Sequence, residues 1–153
     1  MAQIKEGMKA PSFEGIDQNG KIIKLSDFAG KKLVLYFYPK DNTSGCTAEA
    51  CDLRDNYKDF LKKGFSVVGV SADSEKSHKS FAEKYSLPFP LIADTSHKIL
   101  NDYGVWQEKS MYGRKYFGIV RTTFIIDEKG HIEKIIGKVE TKSHSEQIFK
   151  MYK

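Results

Sequence analysis

Leu33-Val34-Leu35-Tyr36-Phe37-Tyr38-Pro39 is followed by Lys40-Asp41-Asn42-Thr43-Ser44-Gly45-Cys46-Thr47-Ala48-Glu49-Ala50-Cys51, and the change of pattern between the two halves decides the fold. Residues 33–38 run apolar without alternation, as expected of a central strand covered on both faces, and Pro39 ends it. From about Thr43 to Lys63 the period changes: Ala50, Leu53, Tyr57, Phe60 and Leu61 recur at helical spacing. Gly64 stands where a helix C-terminus favours a left-handed residue. Cys46 therefore falls in the first turn of a helix. Backbone N–H groups without intrahelical partners, together with the helix dipole, stabilise a thiolate at such a place. Thr43, three residues upstream, brings a hydroxyl within reach of whatever the sulfur binds.

Working outward, residues 65–70 read as a second buried strand, and residues 71–74 supply caps for a helix carrying Phe81, Ala82 and Tyr85. Pro88 and Pro90 frame a short apolar segment at 89–93, and a short helix over 96–103 stops at Gly104. Residues 119–126 and 131–136 form a strand pair around the turn Asp127-Glu128-Lys129-Gly130. The chain closes with a helix whose Ser143 and Glu146 have capping-box spacing and whose Ile148, Phe149 and Tyr152 face inward. Upstream, Asn19-Gly20 signals a two-residue hairpin turn between strands at 13–17 and 21–25. Residues 104–118 read as a long polar and aromatic loop, suited to a site or lid. Helix crossovers between buried strands imply a sheet that is parallel in its middle. The element order is that of an α/β, thioredoxin-like fold: a central mixed sheet flanked by helices, with an N-terminal β-hairpin extension, in one domain spanning 1–153.

Composition excludes several other classes. A chain of 153 residues, 40% hydrophobic and 29% charged, is long enough for a real core and is not disordered. The net charge of +5 comes from lysines that alternate with acids, as in Glu128-Lys129 and Glu133-Lys134, so no nucleic-acid partner is expected. Residues 1–11 lack the apolar core of a signal peptide, and the apolar run 33–38 is far too short to span a bilayer. A cytoplasmic protein with no membrane partner is expected, and a reducing compartment argues against a structural disulfide framework.

Only two thiols, Cys46 and Cys51, are present. A zinc site needs about four ligands, and two cysteines five apart with scattered histidines give no such set, so neither metal nor cofactor is expected. No histidine flanks the cysteine segment, and His78, His97, His131 and His144 each read as surface residues. The spacing is not the Cys-x-x-Cys of a thioredoxin-type dithiol. Helix geometry separates Cα atoms five residues apart by about 8.7 Å, beyond the roughly 7 Å limit for a disulfide. Two readings of Cys51 stay open. It is a small buried hydrophobe, or it attacks a sulfenic acid on Cys46 after the helix start unwinds. Arg121, inside the apolar run Gly118-Ile119-Val120-Arg121-Thr122-Thr123-Phe124, is the notable distant cation, since arginine is rarely buried without a partner. Thr43 and the N–H groups of Gly45 and Cys46 complete a set of groups around the sulfur.

The segment Tyr38-Pro39 through Cys51 resembles the active-site stretch of peroxiredoxins, matching their Pro-x-x-x-Thr-x-x-Cys motif through Pro39, Thr43 and Cys46. A second cysteine five residues on, with Glu49 between, is similar to the bacterioferritin comigratory protein, or peroxiredoxin Q, branch. Ala10-Pro11-Ser12-Phe13, Met111-Tyr112-Gly113 and the run from Gly118 to Asp127 resemble other parts of that family, so the likeness covers nearly the whole chain. The resemblance implies a thiol peroxidase that reduces hydrogen peroxide and organic hydroperoxides. It implies Cys46 as the peroxidatic residue, Cys51 as the resolving one, and Thr43 and Arg121 as the peroxide-positioning pair. Pro39 would shield the pocket and Glu49 would help hold the arginine. Thioredoxin or a similar dithiol would restore the thiols, and a monomer is expected. One departure is visible: Ser44 stands where the branch commonly has proline, which leaves the loop less rigid. The rival functions are a thiol–disulfide oxidoreductase acting on protein disulfides, a one-cysteine peroxidase, and a non-enzymatic thiol sensor or binding domain.

Overall fold

A computed structural model describes residues 4–152; Met1–Gln3, at the start of the stretch lacking a signal-peptide core, and Lys153 lie outside it. In chain order the strands and helices are β1 (Glu14–Ile16), β2 (Ile22–Lys24), β3 (Lys32–Phe37), α1 (Ser44–Asp55), α2 (Tyr57–Lys62), β4 (Phe65–Ser71), α3 (Glu75–Tyr85) and β5 (Leu91–Ala93). They continue with α4 (Lys98–Asp102), β6 (Trp106–Met111), β7 (Arg114–Ile119), β8 (Thr122–Ile126), β9 (Ile132–Ile136) and α5 (His144–Lys150). Five strands form one sheet in the order β5-β4-β3-β8-β9. β3 runs parallel to β4 and antiparallel to β8, so the sheet is mixed. The fold is α/β and thioredoxin-like, with a small N-terminal two-strand hairpin.

The unbroken apolar run at β3 is explained by its position. Leu33, Leu35 and Phe37 point into one core, with Phe13, Ile23, Ile99, Tyr103 and Phe124. Val34, Tyr36 and Tyr38 point into a second, with Ala50, Leu53, Phe60, Phe81 and Ile148. Alternate residues thus serve opposite faces, and each face is covered. α1, α2, α3 and α5 supply the second face. The pairing is close enough that a Cβ on Gly69 would lie 2.8 Å from the Tyr36 ring on the neighbouring strand. Gly64 has φ +83° and Ser74 accepts from the Ser77 N–H at 3.1 Å, so both helix-boundary signals hold.

Several local expectations are corrected. The first hairpin turns through three residues, because the Asp17 N–H donates to the Lys21 carbonyl and Gly20 takes φ +76°. The Asp17 carboxylate holds that loop by accepting from the N–H groups of Asn19 and Lys21. The long helix is interrupted at Asn56, whose side-chain amide donates to the Asp52 carbonyl. Residues 104–118 are mostly a hairpin, β6 paired with β7 through Tyr112 and Gly113, both at positive φ. The run 119–126 is broken, so Arg121 sits in the two-residue link between β7 and β8. Ser143 precedes α5 without capping it; its hydroxyl donates to Glu140 instead. Among the described residues, no helix is long and apolar enough to cross a membrane.

Candidate active site

The register of the sheet assembles the site. Phe37 lies opposite Thr122, so Arg121 emerges at the same sheet end from which residues 38–43 cross to α1. Asn42, at φ 62°, adopts the left-handed region that asparagine tolerates, and Thr43 follows as the N-cap. Ser44, Gly45 and Cys46 are then the first three residues of α1, whose N–H groups have no carbonyl one turn back to bond. Cys46, Glu49, Ala50 and Leu53 form the buried face of the helix. The spacing of Cys46 and Glu49 puts sulfur and carboxylate on that face one turn apart. A single guanidinium reaches both: Arg121 Nη1 donates to Glu49 Oε1 at 2.6 Å and Nη2 donates to Cys46 Sγ at 3.2 Å. Gly45 allows this approach, since a Cβ there would stand 3.2 Å from Nη2.

Cys46 is 1% exposed, so the sulfur at the helix start is covered. Cys51, five residues on, is half-buried and belongs to the same helix, off the buried face. The Thr43 hydroxyl donates its hydrogen to the Lys40 carbonyl at 2.9 Å, so toward any further group its oxygen acts as an acceptor. Pro39 is half-buried at the start of the crossing segment. Pro39, Thr43, Gly45, Cys46, Glu49 and Arg121 therefore converge on one sheet end. Cys51 stands apart from the others.

Burial pushes the Glu49 carboxyl up to about 7, and the Arg121 charge offsets this only in part. For Arg121, burial works to lower the pKa, but Glu49 and Cys46 beside it outweigh burial and raise it. The 2.6 Å ion pair and the raised carboxyl pull in opposite directions. Burial prevails, because the carboxylate is fully enclosed while the guanidinium keeps 22% exposure.

Two of the four histidines depart from the surface reading. His78 and His144 are fully buried, while His131 is exposed. The signal was available: His144 stands four residues before Ile148, and His78 three before Phe81, on inward helix faces. His144 Nε2 lies 2.8 Å from Thr123 Oγ1 and 3.6 Å from Glu49 Oε2. His78 anchors the segment leading to α1. Asp41 accepts from Tyr38, Ser77 and His78 at 2.7, 2.8 and 2.7 Å, and its N–H donates to Asp73 at 2.9 Å. Asp41, Asp73 and His78 are spaced for a metal ion. Both Asp41 oxygens and both His78 nitrogens are already engaged by protein groups, so the donor set fits a hydrogen-bond lattice. A cavity of about 600 Å³ lies elsewhere, between the N-terminal hairpin and α4, and none of the sulfur-site residues lines it.

The sequence pattern of the AhpC/TSA family matches residues 7–135. The chain is 47% identical over 141 residues to peroxiredoxin Bcp of Bacillus subtilis, covering 92% of this chain and 90% of the relative. It superposes on the crystal structure of a Xylella fastidiosa PrxQ mutant with a TM-score of 0.92 and 31% identity, covering 99% and 97% of the two chains. A Xanthomonas campestris bacterioferritin comigratory protein, solved in work on its alkyl peroxide reduction activity, gives a TM-score of 0.89 with 33% identity over 96% of each chain.

Proposed function

This chain is a peroxiredoxin of the AhpC/TSA family, on its Bcp/PrxQ branch, and we propose that it reduces hydrogen peroxide and organic hydroperoxides through Cys46. The observation that carries the reading is the Arg121 guanidinium, held by Glu49 on one side and donating to Cys46 Sγ at 3.2 Å on the other. A peroxide is broken when the thiolate attacks one oxygen while the other departs with negative charge. Sulfur takes up the hydroxyl as a sulfenic acid, and the departing alkoxide or hydroxide takes a proton to leave as alcohol or water. Arg121 balances charge on the sulfur and on the departing oxygen. Thr43 Oγ1, already donating to Lys40, accepts the peroxide O–H. The N–H groups of Gly45 and Cys46 point from the helix start toward developing charge, as in an oxyanion hole. Pro39 limits the access of water.

Resolution follows from the second thiol. Cys51 attacks the sulfenic sulfur, water leaves, and a Cys46–Cys51 disulfide forms. In continuous helix their Cα atoms are about 8.7 Å apart, so the first turns of α1 must unwind before the bond can close. A thioredoxin-type dithiol then reduces the disulfide in a reducing, cytoplasmic setting. All the groups come from one chain, which works as a single-domain monomer. The test is peroxide consumption in the presence of thioredoxin and its reductase. The wild-type chain turns over, Cys46→Ser is inactive, and Cys51→Ser consumes one equivalent and stalls. Turnover by Cys46→Ser overturns the assignment of Cys46, and sustained turnover by Cys51→Ser with thioredoxin overturns that of Cys51.

A further inference from the structure

We propose that His144 is a positioning residue of the peroxidase reaction: its Nε2 faces the unpartnered oxygen of Glu49 and so governs whether the carboxyl that orients Arg121 against Cys46 is charged. The inference rests on the reading of Cys46 and Arg121 above and adds a residue to it. Glu49 Oε2 is buried and, among the described residues, has no hydrogen-bond donor. An enclosed carboxylate oxygen without a donor is unusual, and what faces it decides the charge the group can hold. At 3.6 Å, His144 Nε2 is the nitrogen that faces it.

The state of that nitrogen follows from its neighbours. Gln147 Nε2 donates to the Lys138 carbonyl at 2.8 Å, which fixes the amide so that Oε1 accepts from the Glu140 N–H at 3.0 Å. The same Oε1 lies 2.8 Å from His144 Nδ1, so Nδ1 must carry a hydrogen. In the neutral ring Nε2 is then a bare lone pair, and Thr123 Oγ1 donates to it at 2.8 Å. Glu49 Oε2 and His144 Nε2 thus meet lone pair to lone pair, with no proton between them, when the imidazole is neutral and the carboxyl ionised. One added proton relieves that contact.

Burial lowers the pKa of His144 and raises that of Glu49 to about 7, so the carboxyl takes the proton first. The other groups around the pair are Asp52 on α1, Arg121 in the β7–β8 link, Glu140 before α5, Tyr36 on β3 and Cys46 itself. α5 is held to α1 by the Ser145 N–H, which donates to Asp52 at 2.6 Å, so His144 is carried on an element fixed to the catalytic helix. When Glu49 is ionised, its charge clamps the Nη1 side of Arg121 and leaves Nη2 aimed at the sulfur. When it is protonated, that clamp weakens.

The experiment is the second-order rate of Cys46 sulfenate formation with hydrogen peroxide from pH 5 to 9, by rapid quench and mass spectrometry. Wild type, Glu49→Gln, His144→Phe, His144→Gln and the Glu49→Gln/His144→Phe double variant are compared. The wild-type profile should carry an inflection near 7 from Glu49 that Glu49→Gln erases. His144→Phe removes the lone pair that opposes the ionised carboxylate and should move that inflection down, with a rate at neutral pH up to about twofold higher as the ionised fraction rises from half to nearly all. His144→Gln supplies an N–H donor toward Oε2 and should move it down. A merely structural residue leaves the inflection of a folded variant where it is, whereas here both replacements lower it, the Gln donor more than Phe. The double variant should match Glu49→Gln alone. An unmoved inflection in the folded His144→Gln chain, or a double variant whose rate differs from that of Glu49→Gln alone, overturns the role of His144 and leaves the assignment of Cys46 standing. A wild-type chain whose Cys46 does not take up peroxide overturns both.

Discussion

Replacing Glu49 by Gln should stabilise the protein at high pH relative to low pH, although it breaks an ion pair. The carboxyl is enclosed, and its pKa rises from 4.5 to about 7 on folding because burial outweighs the pull of Arg121. Between those values the folded chain binds a proton that the unfolded chain has released. Stability is therefore fully present below pH 4.5 and is lost as pH rises through 7. The interval corresponds to about 3 kcal/mol, at about 1.4 kcal/mol per pH unit. Gln cannot ionise, so the unfolding free energy of Glu49→Gln minus that of wild type should climb by about 3 kcal/mol between roughly pH 4 and pH 8. Taking the difference removes groups common to both chains. His144 faces Glu49 and does not cancel fully: burial lowers its pKa, so its own contribution is present above its ordinary pKa and is lost as pH falls. The assay is urea unfolding of the reduced proteins, followed by far-ultraviolet circular dichroism across that range. For a chain of this size the change corresponds to roughly 10 °C in relative melting temperature. A flat difference, or one that falls with pH, would show that the Arg121 ion pair dominates and that Glu49 is ionised throughout.

Arg121→Lys keeps the charge but loses the planar fork that reaches Glu49 and Cys46 together; stopped-flow oxidation by peroxide should slow by about 10²–10³-fold while the melting temperature barely changes. Gly45→Ala places a methyl 3.2 Å from Arg121 Nη2; the guanidinium must shift, and the same measurement should show a loss of at least about tenfold, with parental speed counting against the packing argument. Forming the disulfide should melt the first turns of α1. Oxidised protein should then lose helix signal by circular dichroism and exchange the amides of residues 44–53 faster than reduced protein, whereas unchanged helix content in a disulfide-bonded chain would contradict the unwinding.

Legibility in the sequence tracked how far each feature depends on neighbours in the chain. The two-faced strand at β3, the helix stop at Gly64 and the cap at Ser74 are local patterns, and all three hold. Cys46 and Arg121 were anticipated from residue types, because a helix start and an arginine among apolar residues each carry chemistry, whereas the place of Glu49 beside the arginine was implied by the family resemblance alone. The β6–β7 hairpin was missed because its strands expose most of their residues and show no apolar alternation, with Phe117 60% and Tyr112 98% exposed. Its turn uses a tyrosine at positive φ, which is not a usual turn residue. The break at Asn56 comes from a side chain bonding its own helix, which periodicity does not register. His144 was read as surface because polarity was weighed above its position four residues before Ile148. Its partners Thr123 and Glu49 lie 21 and 95 residues away in sequence, and only the tertiary fold brings them together.

The central claim is that Cys46 takes the peroxide oxygen and passes the oxidation to Cys51. Trypsin cleavage after Lys40 and Arg54 releases residues 41–54, which carry both thiols in one peptide. Mass spectrometry of that peptide after one equivalent of hydrogen peroxide should show the loss of two hydrogens in wild type. In Cys51→Ser it should show a single added oxygen located on Cys46. An unmodified peptide while peroxide is consumed, or wild-type oxidation confined to Cys51, would contradict the account.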